Sequence, residues 1–248
     1  MSQRWSVLGV IPARLNSTRL PRKVLREICG RPMVQHVYER ARQCPRLTEL
    51  VVATDSLEVA EVCRRLGIPV EMTSPDHPSG TDRLHEVMTR RDAEIFVNIQ
   101  GDEPLIDPGH IDALLEPFEQ EPQTQISTLC IAITPEEAKN PNVVKVVSDR
   151  HGNAIYFSRW PIPFDRDGAS PVQYFKHMGL YAYRRDPLKV FHSLPPSKLE
   201  LAERLEQLRF LEYGLPIRVA ETMFATVGVD TEEDLRTVER ILQQRAAA

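Results

Sequence analysis

Val10-Ile11-Pro12-Ala13-Arg14-Leu15-Asn16-Ser17-Thr18-Arg19-Leu20-Pro21-Arg22-Lys23 follows an apolar run that begins at Trp5. Ser6 to Ile11 is rich in β-branched residues and uncharged, and Pro12 cuts it off, so it reads as a short buried strand. A cationic loop therefore leaves the end of a strand. Arg14, Arg19 and Lys23 carry its charge, Ser17 and Thr18 lie between them, and Pro21 stiffens the exit. Guanidinium forks, an ammonium, hydroxyls and backbone N–H groups suit a polyphosphate. The same composition also makes a solvated basic turn, and neither G-x-G-x-x-G nor G-x-x-x-x-G-K-[ST] is present to decide between them.

Outward from this loop, strand and helix patterns alternate. Pro32 opens a helix carrying Met33, Val37, Ala41 and Cys44; Leu50 to Thr54 reads as a strand. Asp55 or Ser56 then caps a helix that Gly67 stops. Val70 to Thr73 is a strand, Pro75 to Gly80 a loop and Thr81 to Arg90 a helix. Glu94 to Gln100 has the near-continuous apolar pattern of a covered parallel strand, and Gly101-Asp102-Glu103-Pro104 sits at its carboxyl end. Open parallel sheets bind ligands outside those ends, so this acidic turn and the Arg14 loop are expected to share one mouth. His110 to Phe118 reads as a helix and Ile126 to Ile133 as a strand.

After Pro135 the pattern becomes antiparallel: Val143 to Ser148 and Asn153 to Ser158 form a hairpin around Asp149-Arg150-His151-Gly152, and His177 to Tyr183 is a further strand. Ser197 to Tyr213 is expected to be one helix with Leu201, Leu205, Leu208 and Leu211 as its buried stripe. Ile217 to Glu221 is a strand. Thr231 and Asp234 cap the last helix, whose apolar face is Leu235, Val238, Ile241 and Leu242.

At 248 residues the chain can bury a sizeable core. Its net charge of −4 argues against nucleic acid as a partner, since backbone phosphates call for a basic face. No apolar stretch approaches the ~20 residues of a membrane span, and the N-terminus lacks a secretory pattern. Cys29, Cys44, Cys63 and Cys130 are widely spaced with no C-x-x-C, so neither a zinc ribbon nor a redox pair is indicated, and free thiols fit a cytoplasmic protein.

Arg14-x-x-Ser17-Thr18-Arg19-Leu20-Pro21-x-Lys23 resembles the signature loop of the sugar-nucleotide cytidylyltransferases. Pro78-Ser79-Gly80-Thr81-Asp82-Arg83, Val97-Asn98-Ile99-Gln100-Gly101-Asp102-Glu103-Pro104, Asn142-Val143-Val144-Lys145-Val146-Val147 and Gly228-Val229-Asp230-Thr231 match one branch. With Tyr156-Phe157-Ser158-Arg159 and Leu205-Glu206-Gln207-Leu208-Arg209, the chain is similar to the 3-deoxy-manno-octulosonate cytidylyltransferase family from about residue 7 to 242. The resemblance implies a Rossmann-like α/β fold, a mostly parallel sheet flanked by helices, of the nucleotide-diphospho-sugar transferase type. One domain over 1–245 would carry 140–190 as a smaller β-containing lobe used in a homodimer.

It also implies an activity: CMP passes from CTP to 3-deoxy-D-manno-octulosonate (KDO), with pyrophosphate leaving, in the cytoplasm and for lipopolysaccharide biosynthesis. Mg2+ would sit on Asp102 and Asp230. From the residues alone the simpler readings are favoured, Asp230 as a helix N-cap and Asp102 as a turn residue, and the resemblance reverses that. Catalysis would fall to Arg14, Lys23, Asp102 and Asp230. Pro12, Ala13, Arg14, Ser17, Thr18, Arg19, Lys23, Ser79, Gly80, Arg83 and Asp102 would bind the nucleotide, with Ser79, Gly80 and Arg83 reading cytosine or simply capping a helix. Gln100, Arg159, His177, Tyr181, Glu206 and Gln207 would bind the sugar. Arg22 stands where the family usually has glycine, and Trp160 replaces a small residue, which leaves 8-amino-KDO or a nonulosonic acid as alternative acceptors. A non-catalytic nucleotide-binding module is the alternative from another class.

Overall fold

Strand β1 spans Val7–Pro12, is buried from Val7 to Ile11 and has parallel neighbours on both sides. This computed structural model describes residues 5–15, 20–77, 79–166, 168 and 172–247. The chain falls into two compact units, the first of Met1–Asp112 with Thr226–Ala248 and the second of Ala113–Ala225. The sequence reading set 140–190 apart; the units divide at 112/113 and 225/226.

In chain order the first unit contains β2 (Glu27–Ile28), β3 (Arg31–Pro32), α1 (Met33–Ala41), β4 (Glu49–Thr54), α2 (Leu57–Arg65), β5 (Val70–Met72), α3 (Gly80–Arg90) and β6 (Ile95–Asn98). α4 (Pro108–Gln120) then carries the chain into the second unit. β6, β1, β4 and β5 lie side by side in that order, all parallel. Their carboxyl ends therefore line one edge. The expected caps are present: Ser56 accepts from the Val59 amide at 3.3 Å, and Gly67 takes a φ of +68° that stops α2.

The second unit contains β7 (Ile126–Ile133), α5 (Pro135–Ala138), β8 (Lys145–Ser148), β9 (Ala154–Ser158), β10 (Tyr174–Arg184), α6 (Arg185–Ser193), α7 (Lys198–Glu203), α8 (Gln207–Glu212) and β11 (Arg218–Glu221). β7 pairs parallel with β11 and antiparallel with β10; β8 joins β10 and β9, also antiparallel. The β8–β9 hairpin turns on Asp149, whose carboxylate accepts from the His151 and Asn153 amides at 2.8 Å each. Finally α9 (Glu232–Ala247) returns to the first unit, where Leu235 and Val238 pack with Leu20, Ile28, Met33, Leu105 and Val229.

The helix expected over Ser197 to Tyr213 is two helices. Arg204 adopts φ +55° between them, and α7 buries nothing. Leu201 is 54% exposed, so the leucine stripe starts only at Leu205. The break is satisfied from outside: the Arg159 guanidinium donates to the carbonyls of Glu203 (2.8 Å), Pro141 (3.2 Å) and Arg204 (3.5 Å), the first and last of which the interruption leaves unpaired. Helical spacing of leucines says nothing about a side chain arriving from β9.

Candidate active site

The acidic turn after β6 is pressed against the end of β1. A Cβ on Gly101 would stand 2.5 Å from the Pro12 carbonyl oxygen, so only glycine admits this approach, and Asp102 is delivered beside the loop that leaves β1. The Asp102 carbonyl in turn accepts from the Val229 amide at 2.9 Å. That bond brings Asp230 to the same edge from the far end of the chain. Asp230 is not the helix cap: Thr231 Oγ1 accepts from the Asp234 amide at 3.2 Å, and the Asp234 carboxylate accepts from the amides of Asp230 and Thr231.

Between the two aspartates lies Lys23. Its ammonium donates to Asp102 Oδ2 at 2.6 Å and to Asp230 Oδ1 at 3.0 Å. Burial works against its charge, but the attraction of Asp102 and its hydrogen bond, then those of Asp230, prevail and hold the pKa above 10.5. Lys23 begins a single 3-10 turn, Lys23–Leu25, and Arg22 before it has φ +58°. Glycine takes that left-handed backbone at no steric cost, which fits the glycine that the resemblance leads one to expect here. Arg22→Gly is expected to leave the melting temperature unchanged or to raise it, because relief of about 1 kcal/mol of backbone strain offsets the loss of an exposed Arg22–Glu58 pair. A clear fall in the thermal midpoint would contradict this.

Arg14, following β1, donates from Nη2 to the His77 carbonyl at 2.5 Å and so ties the first loop to the loop after β5. Ser79 is engaged at the start of α3, where its hydroxyl accepts from the Asp82 amide at 3.1 Å and donates to the Asp82 carboxylate at 2.7 Å. At Gly80 the atoms nearest an added Cβ belong to Pro12 and Asn98, at ordinary contact distances of 3.6 Å or more. Arg83 is wholly buried, bonded to Thr73 and to Asp55 at 3.0 Å. The sequence reading offered Asp55 or Ser56 as a helix cap; Ser56 is the cap, and the Asp55 carboxylate is turned to Arg83 instead. Pro12 and Ala13 lie on the same edge, as does Gln100 next to Gly101. Ser17, Thr18 and Arg19 lie outside the described residues.

The other acceptor candidates belong to the second unit. His177 is buried, edge-on to Phe157, and its Nε2 is 3.0 Å from Thr128 Oγ1. Thr128 Oγ1 also reaches the carbonyls of Leu180 at 2.8 Å and Met178 at 3.2 Å. Tyr181 packs against His177, and burial raises its phenol pKa well above 10.0. Gln207 is buried and its Nε2 has no hydrogen-bond partner among the described residues. Glu206 precedes it, half-buried, at the start of α8. Arg159 has its guanidinium on the backbone carbonyls described above.

Burial, with a smaller contribution from Lys176, lowers the His177 pKa from 6.5 to about 3. Throughout the interval between those values the unfolded chain binds the proton that the folded chain refuses. The stability that neutral His177 contributes is thus complete above its unfolded pKa and is lost as pH falls toward the folded value. From pH 6.5 to pH 5 the loss amounts to about 2 kcal/mol. Denaturant melts at pH 7 and pH 5 should show it, and His177→Asn should flatten the difference.

Oxygen donors alone, with no histidine or thiol beside them, suit a hard cation such as Mg2+, which takes one or two carboxylates and completes its shell with phosphate oxygens and water. Asp102 and Asp230 meet that description, and the Lys23 ammonium already stands in for a cation between them. Among the described residues no cluster of three or more His, Cys, Asp or Glu offers an all-protein cage.

Residues 8–222 match the cytidylyltransferase family model. A 3-deoxy-manno-octulosonate cytidylyltransferase of Acidobacterium capsulatum is 56% identical over 240 residues, covering 97% of this chain and 98% of its own. That of Koribacter versatilis is 53% identical over 96% of this chain and 90% of its own. The solved structure of a CMP:2-keto-3-deoxy-manno-octonic acid synthetase complexed with CTP superimposes with a TM-score of 0.94 at 46% identity, over 97% of this chain and 99% of that one. A glucose-1-phosphate thymidylyltransferase from Bacillus anthracis, 17% identical with a TM-score of 0.68 over 95% of each chain, shares the fold. With the family model running through both units and the charged edge formed by Lys23, Asp102 and Asp230 in place, this chain belongs to the cytidylyltransferase family.

Proposed function

We propose that the chain transfers CMP from CTP to the anomeric hydroxyl of 3-deoxy-D-manno-octulosonate, forming CMP-KDO and pyrophosphate. The sugar oxygen bonds to the α-phosphorus, the bond from that phosphorus to the bridging oxygen breaks, and the hydroxyl proton passes to solvent. The observation that carries this reading is Lys23 held on Asp102 and Asp230 at the carboxyl edge of a parallel sheet, in a chain 56% identical to an enzyme named for this reaction. Such a transfer asks for positioning and charge stabilisation rather than a side-chain nucleophile.

Arg14 and Lys23 are the cations that take the triphosphate and steady the departing pyrophosphate. Asp102 and Asp230 hold Mg2+, which when bound offsets phosphate charge and favours the ionised sugar hydroxyl. Ser79 and Gly80 stand on the cytosine side, Gly80 beside Pro12, with the loop backbone supplying acceptors. Arg83, buried on Asp55, braces that loop. On the acceptor side, the Gln207 amide keeps a donor with no partner among the described residues, a group suited to a polyhydroxy acid.

The same reading extends to a homodimer, for which the exposed Trp160 (75%), Phe164 (80%) and Ile155 (61%) offer apolar surface, and to a cytoplasmic role in lipopolysaccharide biosynthesis. No described helix is long and apolar enough to cross a membrane, and the cysteines are unpaired. The test is pyrophosphate release from CTP and Mg2+ with KDO, 8-amino-KDO or a nonulosonic acid as acceptor. KDO should give the highest kcat/KM. Release with none of them would sink the proposal, and a higher kcat/KM with another acid would reassign the acceptor.

A further inference from the structure

Two carboxylates brought to one point repel each other, and something between them must offset that. Here it is Lys23, whose side chain is 14% exposed against 33% for Asp102 and 51% for Asp230. The lysine is thus the least hydrated member of the trio, and its two short contacts fill the position that a cation ligated by both aspartates would need. We propose that Lys23 is the internal counter-ion of the Asp102–Asp230 pair, so that a bare divalent cation must displace it and the nucleotide-free protein disfavours metal. This rests on the reading of Asp102 and Asp230 as the metal carboxylates.

The backbone can support such an exchange. Asp102 is fixed through its carbonyl to Val229 and Asp230 by the capped start of α9, so the aspartates keep their places when the ammonium leaves. Lys23 reaches them on a flexible four-carbon stem. A triphosphate arriving with the metal offers the displaced ammonium new anionic partners, whereas bare metal offers none. Metal and nucleotide are therefore taken up together, and the lysine moves from carboxylate to phosphate as they enter.

The probe is Mn2+ alone, titrated into the full-length protein without nucleotide and followed by electron paramagnetic resonance. Lys23→Met is expected to bind Mn2+ about tenfold more tightly than the unaltered protein, as removal of a neighbouring positive charge requires in a partly screened site. Lys23→Gln, melted alongside, guards against a fold defect in the first variant and should show the same gain. Adding Asp230→Asn to Lys23→Met should abolish the gain. Should neither lysine variant tighten Mn2+ binding while Asp102→Asn still weakens it in the unaltered background, the counter-ion role is overturned and the metal assignment stands. Should Mn2+ binding survive Asp102→Asn and Asp230→Asn together, the assignment falls with it.

Discussion

Asp102→Asn is expected to lower kcat by about a thousandfold, and Asp230→Asn by about a hundredfold. Asparagine keeps the size and one oxygen of the side chain, so the loss reports charge. Asp102 is ranked first because its contact to Lys23 is shorter, 2.6 Å against 3.0 Å, and because it is less exposed, 33% against 51%, which leaves its charge less screened. KM for CTP should rise less than kcat falls, since Arg14 and Lys23 remain to hold phosphate. The fold should persist: the bond from the Val229 amide to Asp102 uses the backbone carbonyl, which the substitution does not touch. Steady-state pyrophosphate release, with melting curves as the control, reads all three quantities. Unchanged turnover in Asp102→Asn would remove the charged edge from the chemistry.

Much of the edge after β1 was legible because its information is local. The end of β1 at Pro12, the Ser56 and Thr231 caps and the turn at Gly101 each need only a few neighbouring residues to specify them. That Asp230 is brought beside Asp102 was not legible, because it depends on a hydrogen bond between Val229 and Asp102. The second unit hid more. Helix α6 begins with Asp186 and Pro187 in its first turn and buries Leu188 and Phe191, a pattern visible in the sequence that the reading passed over. The α7–α8 break was illegible for a different reason: Arg204 is unremarkable by type, and what permits its left-handed turn is Arg159, distant in sequence. Likewise the Val143-Val144-Lys145-Val146 run was read as a family marker with no role for the lysine. A charged residue alternating with valines on a covered strand was the available clue.

Lys145→Met is expected to cost about 3 kcal/mol of folding stability, measured by urea unfolding. Lys145 has no solvent exposure, and its ammonium donates to the carbonyls of Arg159 (2.5 Å), Val143 (2.7 Å) and Asn140 (3.1 Å). Two effects oppose each other. Burying an ammonium costs several kcal/mol, which is why burial lowers its pKa, while nearby Glu203 pulls the other way. Against that, each charge-assisted bond returns about 1.5–3 kcal/mol, and methionine would leave those carbonyls short of a donor in a dry setting. The bonds win because there are several of them and because Glu203 adds to the clasp, accepting from Ser158 Oγ at 2.6 Å and the Arg159 amide at 2.9 Å. The same clasp holds Arg159 on the carbonyls that end α7, so loosening it should also disturb the start of α8, where Gln207 stands. Lys145→Met should therefore raise KM for the acceptor acid more than KM for CTP. A stability loss under about 1 kcal/mol would mean instead that desolvation of the ammonium cancels its bonds.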